Sequence, residues 1–355
     1  TVREVLDRGA ARLADLGDQP ALQAATRATL GVVYRRLGLF DRAEPLLEET
    51  LAQRRRLHPG GHPEVAESLR ELGLLKVEQG EYEAGERLLR QALMMRRELF
   101  GSAHPQQVES LADLGGALYW LGRYGEAEEV LREAIDLARR QEVETQEWAG
   151  ALNDLSLVMQ FRRQLDEAER LGREALAMRR RLFGEHHPDI GVSFNNLAVL
   201  MHMKGDLEAA EDLHRRSVAL HRRLFGGEHP AVALVTYNLA RLVHYNGELD
   251  EAEALYRQAL AISRRALGPH LYTSRMLQHL ARLRAERGDF AEAETLLREC
   301  VGMLGELEGP EGEQVGYRLS QLADVVAAQG REQEAMELRR RAVELGATSP
   351  AEENR

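Results

Sequence analysis

His62, His104, His187 and His229 each stand directly before a proline, at intervals of 42, 83 and 42 residues. Imidazole is a common zinc ligand, so a recurring His-Pro pair invites a metal reading. Zinc draws its ligands to about 2 Å, whereas residues one interval apart on packed helices stand about 10 Å or more from one another. The spacing therefore favours a backbone role, in which His-Pro ends a loop and Pro takes the first helical position. His186-His187 is the one local pair and completes no site. Ser, Asp and His lie scattered without triad spacing, no glycine-rich phosphate loop follows a strand, and no carboxylate pair rises above the acidic background. The chain reads as a non-enzyme that takes no metal and no cofactor. Its one cysteine, Cys300, occupies a slot held elsewhere by Ala or Ser, so it reads as a small buried residue in a reducing, cytoplasmic setting.

The interval between the histidines belongs to the whole chain. A small residue recurs at Ala43, Gly85, Ala127, Ala168, Ala210, Ala252, Ala293 and Ala335, with spacings of 42, 42, 41, 42, 42, 41 and 42. A fixed period of this size marks a solenoid of stacked supersecondary units, which needs no single large core. Each unit holds two amphipathic segments, with apolar residues at three- and four-residue steps such as Leu88, Leu89, Ala92 and Leu93. A glycine and a large residue mark the corner between them, as in Gly80-Glu81-Tyr82, Gly122-Arg123-Tyr124 and Gly288-Asp289-Phe290. Arg163 takes the glycine's place in the fourth unit, and Glu332 the large residue's place in the eighth. Small residues at Gly73, Gly115, Ser156, Ala198, Ala240, Ala281 and Ala323 let the first helix approach its partner closely. Pro45 is expected in the first turn of a second helix, where N–H groups lack partners anyway.

The expected fold is all-α, a right-handed α-solenoid of eight helix-turn-helix repeats at about 21–57, 63–100, 105–140, 145–183, 188–225, 230–267, 271–307 and 313–345. Residues 1–19 read as an N-terminal capping helix and 347–355 as a disordered tail. The absence of an initiating Met suggests a fragment or processed chain with an upstream neighbour. With 47 basic against 58 acidic residues and a net charge of −11, the chain is a poor partner for nucleic acid. No apolar run is long enough for a membrane helix. Lys76 and Lys204 are the lysines, and the other 45 basic residues are Arg. Arginines at 54–56, 96–97, 179–181, 222–223 and 339–341 fall near second-helix C-termini, where they would complement the helix dipole.

The run Leu30-Gly31-Val32-Val33-Tyr34, followed by Ala43 and Thr50, resembles the tetratricopeptide repeat (TPR), and the resemblance covers about 21–345. The 42-residue length is similar to the kinesin-light-chain subtype. So is the linker Leu-Phe-Gly-x-x-His-Pro, present at 99–105, 182–188 and 224–230. Residues 57–63 carry a variant, and the linkers at 140–145, 267–270 and 308–312 depart from it. The opening VREVLDRGAARLADLGDQPALQA resembles the segment joining a bacterial serine/threonine kinase to C-terminal repeats, with no kinase motif in this chain.

The resemblance implies a concave face lined by first helices. Mapped onto it are Tyr119 and Trp120, then Asn153, Gln160 and Phe161, then Asn195, His202 and Met203. Asn238, Arg241, His244 and Tyr245 follow, and Arg275, Gln278 and Arg282 complete the set. Asn153, Asn195 and Asn238 would form a ladder of carboxamides, whose donors and acceptors suit the backbone of an extended peptide. Aromatic rings and Met203 would supply pockets, and the arginines would meet a carboxylate. The same asparagines could instead bond neighbouring helices, and the rings could pack against the next repeat. The expected function is a protein–protein interaction scaffold or regulatory module that binds a peptide or protein segment. The alternative is a self-association module that dimerises an attached signalling enzyme such as a serine/threonine kinase.

Overall fold

The computed structural model describes residues 8–11, 17 and 19–346. The expected N-terminal cap over 1–19 lies largely outside these residues, and the expected tail over 347–355 wholly so. Residues 8–11 are helical, sixteen longer helices follow, and no strand occurs among the described residues. No described helix is long and apolar enough to cross a membrane.

The chain divides into two compact units, Thr1–Leu182 and Phe183–Arg355. In the first run α1 (Pro20–Arg36), α2 (Phe40–Leu57), α3 (Pro63–Glu78), α4 (Tyr82–Phe100), α5 (Gln106–Trp120), α6 (Tyr124–Gln141) and α7 (Gln146–Phe161). Helix α8 (Leu165–Phe183) ends at the division. The second unit holds α9 (Pro188–Lys204), α10 (Leu207–Phe225), α11 (Pro230–Tyr245), α12 (Leu249–Ala266), α13 (Leu271–Glu286), α14 (Phe290–Glu308), α15 (Glu313–Ala328) and α16 (Glu332–Glu344). Odd and even helices pair as antiparallel hairpins, α1 with α2, α3 with α4, α5 with α6, and likewise from α9 to α16. The core of each unit lies between these helices. Tyr34, Leu47, Leu69 and Leu75 are fully buried in the first, as are Tyr256, Leu277 and Leu304 in the second. Each such burial contributes about 1.5–3 kcal/mol before conformational entropy is charged against it.

The period is set at the helix ends. At the corners Gly38, Gly80, Gly122, Gly205, Gly247, Gly288 and Gly330 adopt φ between 71° and 85°. The next two residues' worth of chain then folds back: Gly122 N–H donates to the Tyr119 carbonyl at 3.0 Å and Arg123 N–H to Leu118 at 2.9 Å. Arg163 makes the same corner without glycine, at φ 60°, with Gln164 N–H on the Met159 carbonyl at 2.9 Å. A side chain in this left-handed region costs about 1–2 kcal/mol, against which glycine loses somewhat more entropy on folding. Arg163→Gly is therefore expected to raise stability by about 1 kcal/mol in denaturant melts. A loss of stability would mean that the Arg163 side chain has a role beyond the turn.

The linkers have a chemistry that the spacing alone did not disclose. Nδ1 of His62, His104 and His187 accepts the backbone N–H two residues on, at 3.3 Å each, and His229 and His270 do so at 3.1 Å. His62, His187, His229 and His270 are helix N-caps, and His104 makes the same bond from the residue before Pro105, the N-cap of α5. The phenylalanine of the linker stacks on the capping ring: Phe100 on His104, Phe183 on His187 and Phe225 on His229, with centroids 4.6, 4.2 and 4.4 Å apart. An acceptor nitrogen must be unprotonated, and a cation at a helix N-terminus opposes the dipole. Burial pushes His229 and His270 below the ordinary 6.5, with His221 adding to the effect at His229. Because the folded pKa is depressed, the stability these caps contribute is whole above pH 6.5 and is lost as pH falls through that value toward the folded pKa. Melting temperature is expected to drop between about pH 7 and about pH 5. The drop should be smaller when His229 and His270 are both replaced by Asn, which caps without titrating. An unchanged pH profile in that double variant would assign the acid sensitivity elsewhere.

Two details differ from expectation. Pro45 is the sixth residue of α2, in the second turn rather than the first. It removes a real helical bond, and the cost stays modest because Pro45 and Asp41, whose carbonyl is left free of that bond, are both exposed to water. Arg54 and Arg96 do not only complement the helix dipole. Arg54 Nη1 donates to Ser68 Oγ at 2.9 Å and the Glu64 carbonyl at 3.1 Å, and Arg96 Nη1 donates to Ser110 Oγ at 2.7 Å. Both guanidinium groups are buried and tie a second helix to the first turns of the next hairpin.

Candidate functional site

In the first unit the mapped aromatic residues gather at the C-terminal ends of α5 and α7. Tyr119 meets Phe161 edge-on at 5.4 Å, Phe161 stacks on Tyr124 at 4.9 Å, and Trp120 lies parallel to Tyr82 at 6.0 Å. Tyr82 and Tyr124 are the large residues that follow the Gly80 and Gly122 corners, so the corner motif itself supplies the floor of this strip. Packing against the next repeat accounts for part of each ring, yet Trp120 and Phe161 remain 59% and 53% exposed. Burial pushes the Tyr119 hydroxyl up to about 12, with Tyr124 and Asp154 adding to it, so it remains a neutral donor. Asn153 and Gln160 are turned inward: Asn153 donates to Asp154 Oδ1 at 3.0 Å, and Gln160 is buried with no hydrogen bond at Nε2.

A charged cluster on α3 and α5 escaped the sequence reading. Arg70 contacts Asp113 at 2.5 Å, Glu71 at 2.9 Å, Glu109 at 3.0 Å and Glu67 at 3.1 Å. Burial pushes the Asp113 carboxyl up to about 6, partly offset by Arg70. Arg70 and Asp113 stand 43 residues apart, at matching places in consecutive repeats. Arg35 with Glu78 repeats that interval, and complementary residues at one-repeat spacing are the signal that could have found both pairs.

The second unit presents a different surface on α9, α11 and α13. Asn238 Nδ2 donates to Asn195 Oδ1 at 2.9 Å, so these two rungs of the carboxamide ladder bond each other. The Asn195 amide and the Asn238 carbonyl keep no other partner among the described residues. His202 lies edge-on to Tyr245 at 4.6 Å, and Tyr245 is 68% exposed. Burial, then Arg241, hold His202 below its ordinary value. Beneath it, His214 of α10 is pushed down to about 4 by burial, with His202 and Arg241 adding, and its Nδ1 lacks a hydrogen bond. His244 Nε2 sits 2.8 Å from Glu286 Oε2, and Arg282 Nε donates to Glu286 Oε1 at 2.9 Å. Burial would raise the Glu286 carboxyl, but these two partners hold it low. Met203 is half-buried and Gln278 buried.

Arg241 and Arg275 are exposed and have no carboxylate partner among the described residues. Many arginines of the second helices are paired instead. There, Arg215 pairs with Glu251, Arg257 with Glu292, Arg264 with Glu299 and Arg298 with Glu334, each to the second helix of the next hairpin. Cys300 is fully buried, its Sγ donates to the Ser274 carbonyl at 3.3 Å, and burial pushes the thiol up to about 11. It is packing, not a nucleophile.

Residues 155–352 match the MalT-like TPR region, and residues 22–98 and 71–140 match the tetratricopeptide repeat. Among solved structures, the apo form of the quorum sensor NprR from B. thuringiensis has a TM-score of 0.64 at 16% identity, over 98% of this chain and 99% of that one. A putative kinesin light chain of P. anserina with nearly identical TPR-like repeats has a TM-score of 0.51 at 26% identity, over 59% of this chain and all of that one. BtubC from P. vanneervenii has a TM-score of 0.54 at 22% identity, over 64% and 92% of the two chains. Among curated proteins no significant match was found. The repeated hairpins, the glycine corners and these likenesses agree, and the chain belongs to the tetratricopeptide-repeat family, with a MalT-like TPR region as its second half and kinesin-light-chain-like repeat proteins among its structural neighbours.

Proposed function

We propose that the second unit binds an extended polypeptide along the face of α9, α11 and α13. Tetratricopeptide repeats generally mediate protein–protein interaction, and the finer assignment rests on one observation. Arg241, whose guanidinium lies over the Tyr237 ring, and Arg275 lack a carboxylate among the described residues, in a chain of net charge −11 whose other arginines mostly meet one. Acidic side chains of a ligand would complete them. The Asn195 amide and Asn238 carbonyl, each with bonding capacity left, suit the donors and acceptors of a peptide backbone. His202, Met203 and Tyr245 flank them as apolar walls. Because the face is built on packed helices, the ligand carries most of the ordering cost. The aromatic strip of Tyr119, Trp120 and Phe161 gives the first unit its own surface for apolar side chains.

The test is selection of peptides on the intact chain, followed by titration of a selected peptide against variants. Arg241→Gln with Arg275→Gln should weaken binding by about tenfold or more, and Asn195→Ala with Asn238→Ala by about tenfold, as expected for losing one or two hydrogen bonds. Unchanged affinity in both double variants would remove this face from the function. Concentration-dependent dimers in light scattering, without peptide binding, would favour self-association instead.

A further inference from the structure

In three linkers the ring stacked on the capping histidine is phenylalanine. In the linker between α2 and α3 the same place is taken by His58, whose ring lies 3.8 Å from that of His62 with the planes 9° apart. The stack is kept, but an inert ring has been exchanged for a second imidazole. His58 Nε2 lies 3.6 Å from Glu64 Oε2, and the same oxygen lies 3.9 Å from His62 Nδ1. Beyond the His62 ring and the Glu64 carboxylate, the His58 ring has no other partner among the described residues. These three side chains are the one group of His, Cys, Asp or Glu among the described residues whose potential ligand atoms gather this closely.

We propose that His58, His62 and Glu64 bind a borderline divalent cation of the Zn2+, Ni2+ or Cu2+ class, with water completing its coordination. Two imidazoles and a carboxylate match the ligand preference of such ions. Metal–ligand bonds of about 2.0–2.2 Å in a tetrahedral corner place ligand atoms about 3.4 Å apart. The Glu64 oxygen stands 3.6 and 3.9 Å from the two imidazoles, and no pair of the ligand atoms is more than 4.8 Å apart. The stacked rings must turn out of parallel for both lone pairs to meet the ion. The side chains are 32%, 39% and 46% exposed, which gives an ion access and the ligands room to turn. His62 would exchange its long 3.3 Å hydrogen bond from Glu64 N–H for a metal bond. Arg54, whose Nε lies 3.9 Å from the same Glu64 oxygen, would lose that contact and keep its bonds to Ser68 and the Glu64 carbonyl. The ion would clamp the end of α2 to the start of α3. His62, His104, His187 and His229 considered alone could not suggest this site, because the second ligand, His58, stands at the phenylalanine position of the linker.

The test titrates ZnCl2 into the chelator-stripped full chain by calorimetry in a non-coordinating buffer. His58→Phe is the informative variant, because Phe restores the stack found in three other linkers and so should fold as wild type does. Wild type should bind one more equivalent of Zn2+ than His58→Phe, with Glu64→Gln weakening that equivalent by about tenfold or more. Zn2+ should raise the melting temperature of wild type alone. His58→Gln serves as a second variant should the Phe chain melt differently without metal. Equal stoichiometry and affinity in wild type and both His58 variants would overturn the site, as would Zn2+ taken up only at the other histidines.

Discussion

Replacing Arg96 with methionine is expected to destabilise the first unit by about 2–4 kcal/mol, while the same change at its neighbour Arg97 costs about 0–1 kcal/mol. Arg96 is buried at 3% exposure near the end of α4 and reaches two other helices. It donates to Ser110 Oγ at 2.7 Å and the Gln106 carbonyl at 3.3 Å on α5, and pairs with Glu109 at 2.9 Å and with Glu67 of α3. Methionine keeps most of the apolar stem, so the loss reports the guanidinium rather than packing. The estimate stays below the top of the range for a broken buried ion pair because Glu67 and Glu109 are 41% and 29% exposed and can take up water. Arg97 pairs with Glu133 at 2.6 Å with both partners well exposed, where side-chain entropy and salt cancel most of the attraction. In a stack each hairpin leans on its neighbours, so the loss should appear first as faster hydrogen exchange at the start of α5. Equal losses for the two variants would show that Arg96 acts only as one more surface charge.

Arg96 also marks the limit of what the sequence disclosed. The hairpin, its corner and its length were legible because each is local: glycine or Arg163 takes one left-handed position, and apolar residues return at helical steps. The all-α TPR fold follows from those rules applied again and again. What lies between hairpins was harder to read. Arg54 and Arg96 looked like dipole partners because they fall near helix ends, and their true acceptors stand 10 to 14 residues on, across a linker. Tyr82 and Tyr124 were read as corner residues, and only the packing of successive corners turns them into the floor beneath Trp120 and Phe161. Asn195 and Asn238 were seen as a ladder, but whether the rungs bond each other depends on the rise between hairpins, which no single repeat encodes. The capping role of the His-Pro histidines was nearer to hand. A ring nitrogen two residues ahead of a free N–H follows from His before Pro at the first helical position, and reading Pro alone left it unused.

Two adjacent glycines of α5 should respond to the same substitution with opposite signs. A Cβ on Gly115 would stand 2.5 Å from Cγ and Cδ2 of Leu131, whereas a Cβ on Gly116 would meet nothing nearer than Asp154 Oδ2 at 3.8 Å. Both positions are helical, and alanine gains about 1 kcal/mol over glycine there from backbone entropy alone. Gly116→Ala should therefore stabilise by about 0.5–1 kcal/mol. Gly115→Ala must move Leu131, which is fully buried and therefore not free to swing aside, at an overpacking cost of about 1–3 kcal/mol that outweighs the propensity gain. Gly31 against Leu47 and Gly73 against Leu89 show the same approach, at 2.8 and 2.9 Å, so the close contact is a property of these hairpins and not an accident of one. Leu131→Ala should rescue part of the Gly115→Ala loss, because it empties the space that the new methyl group needs. Denaturant melts of the two single variants and the pair decide the matter. If Gly115→Ala were neutral or stabilising, the two helices could relax apart without penalty, and small residues at this position would not be what sets the spacing within a hairpin.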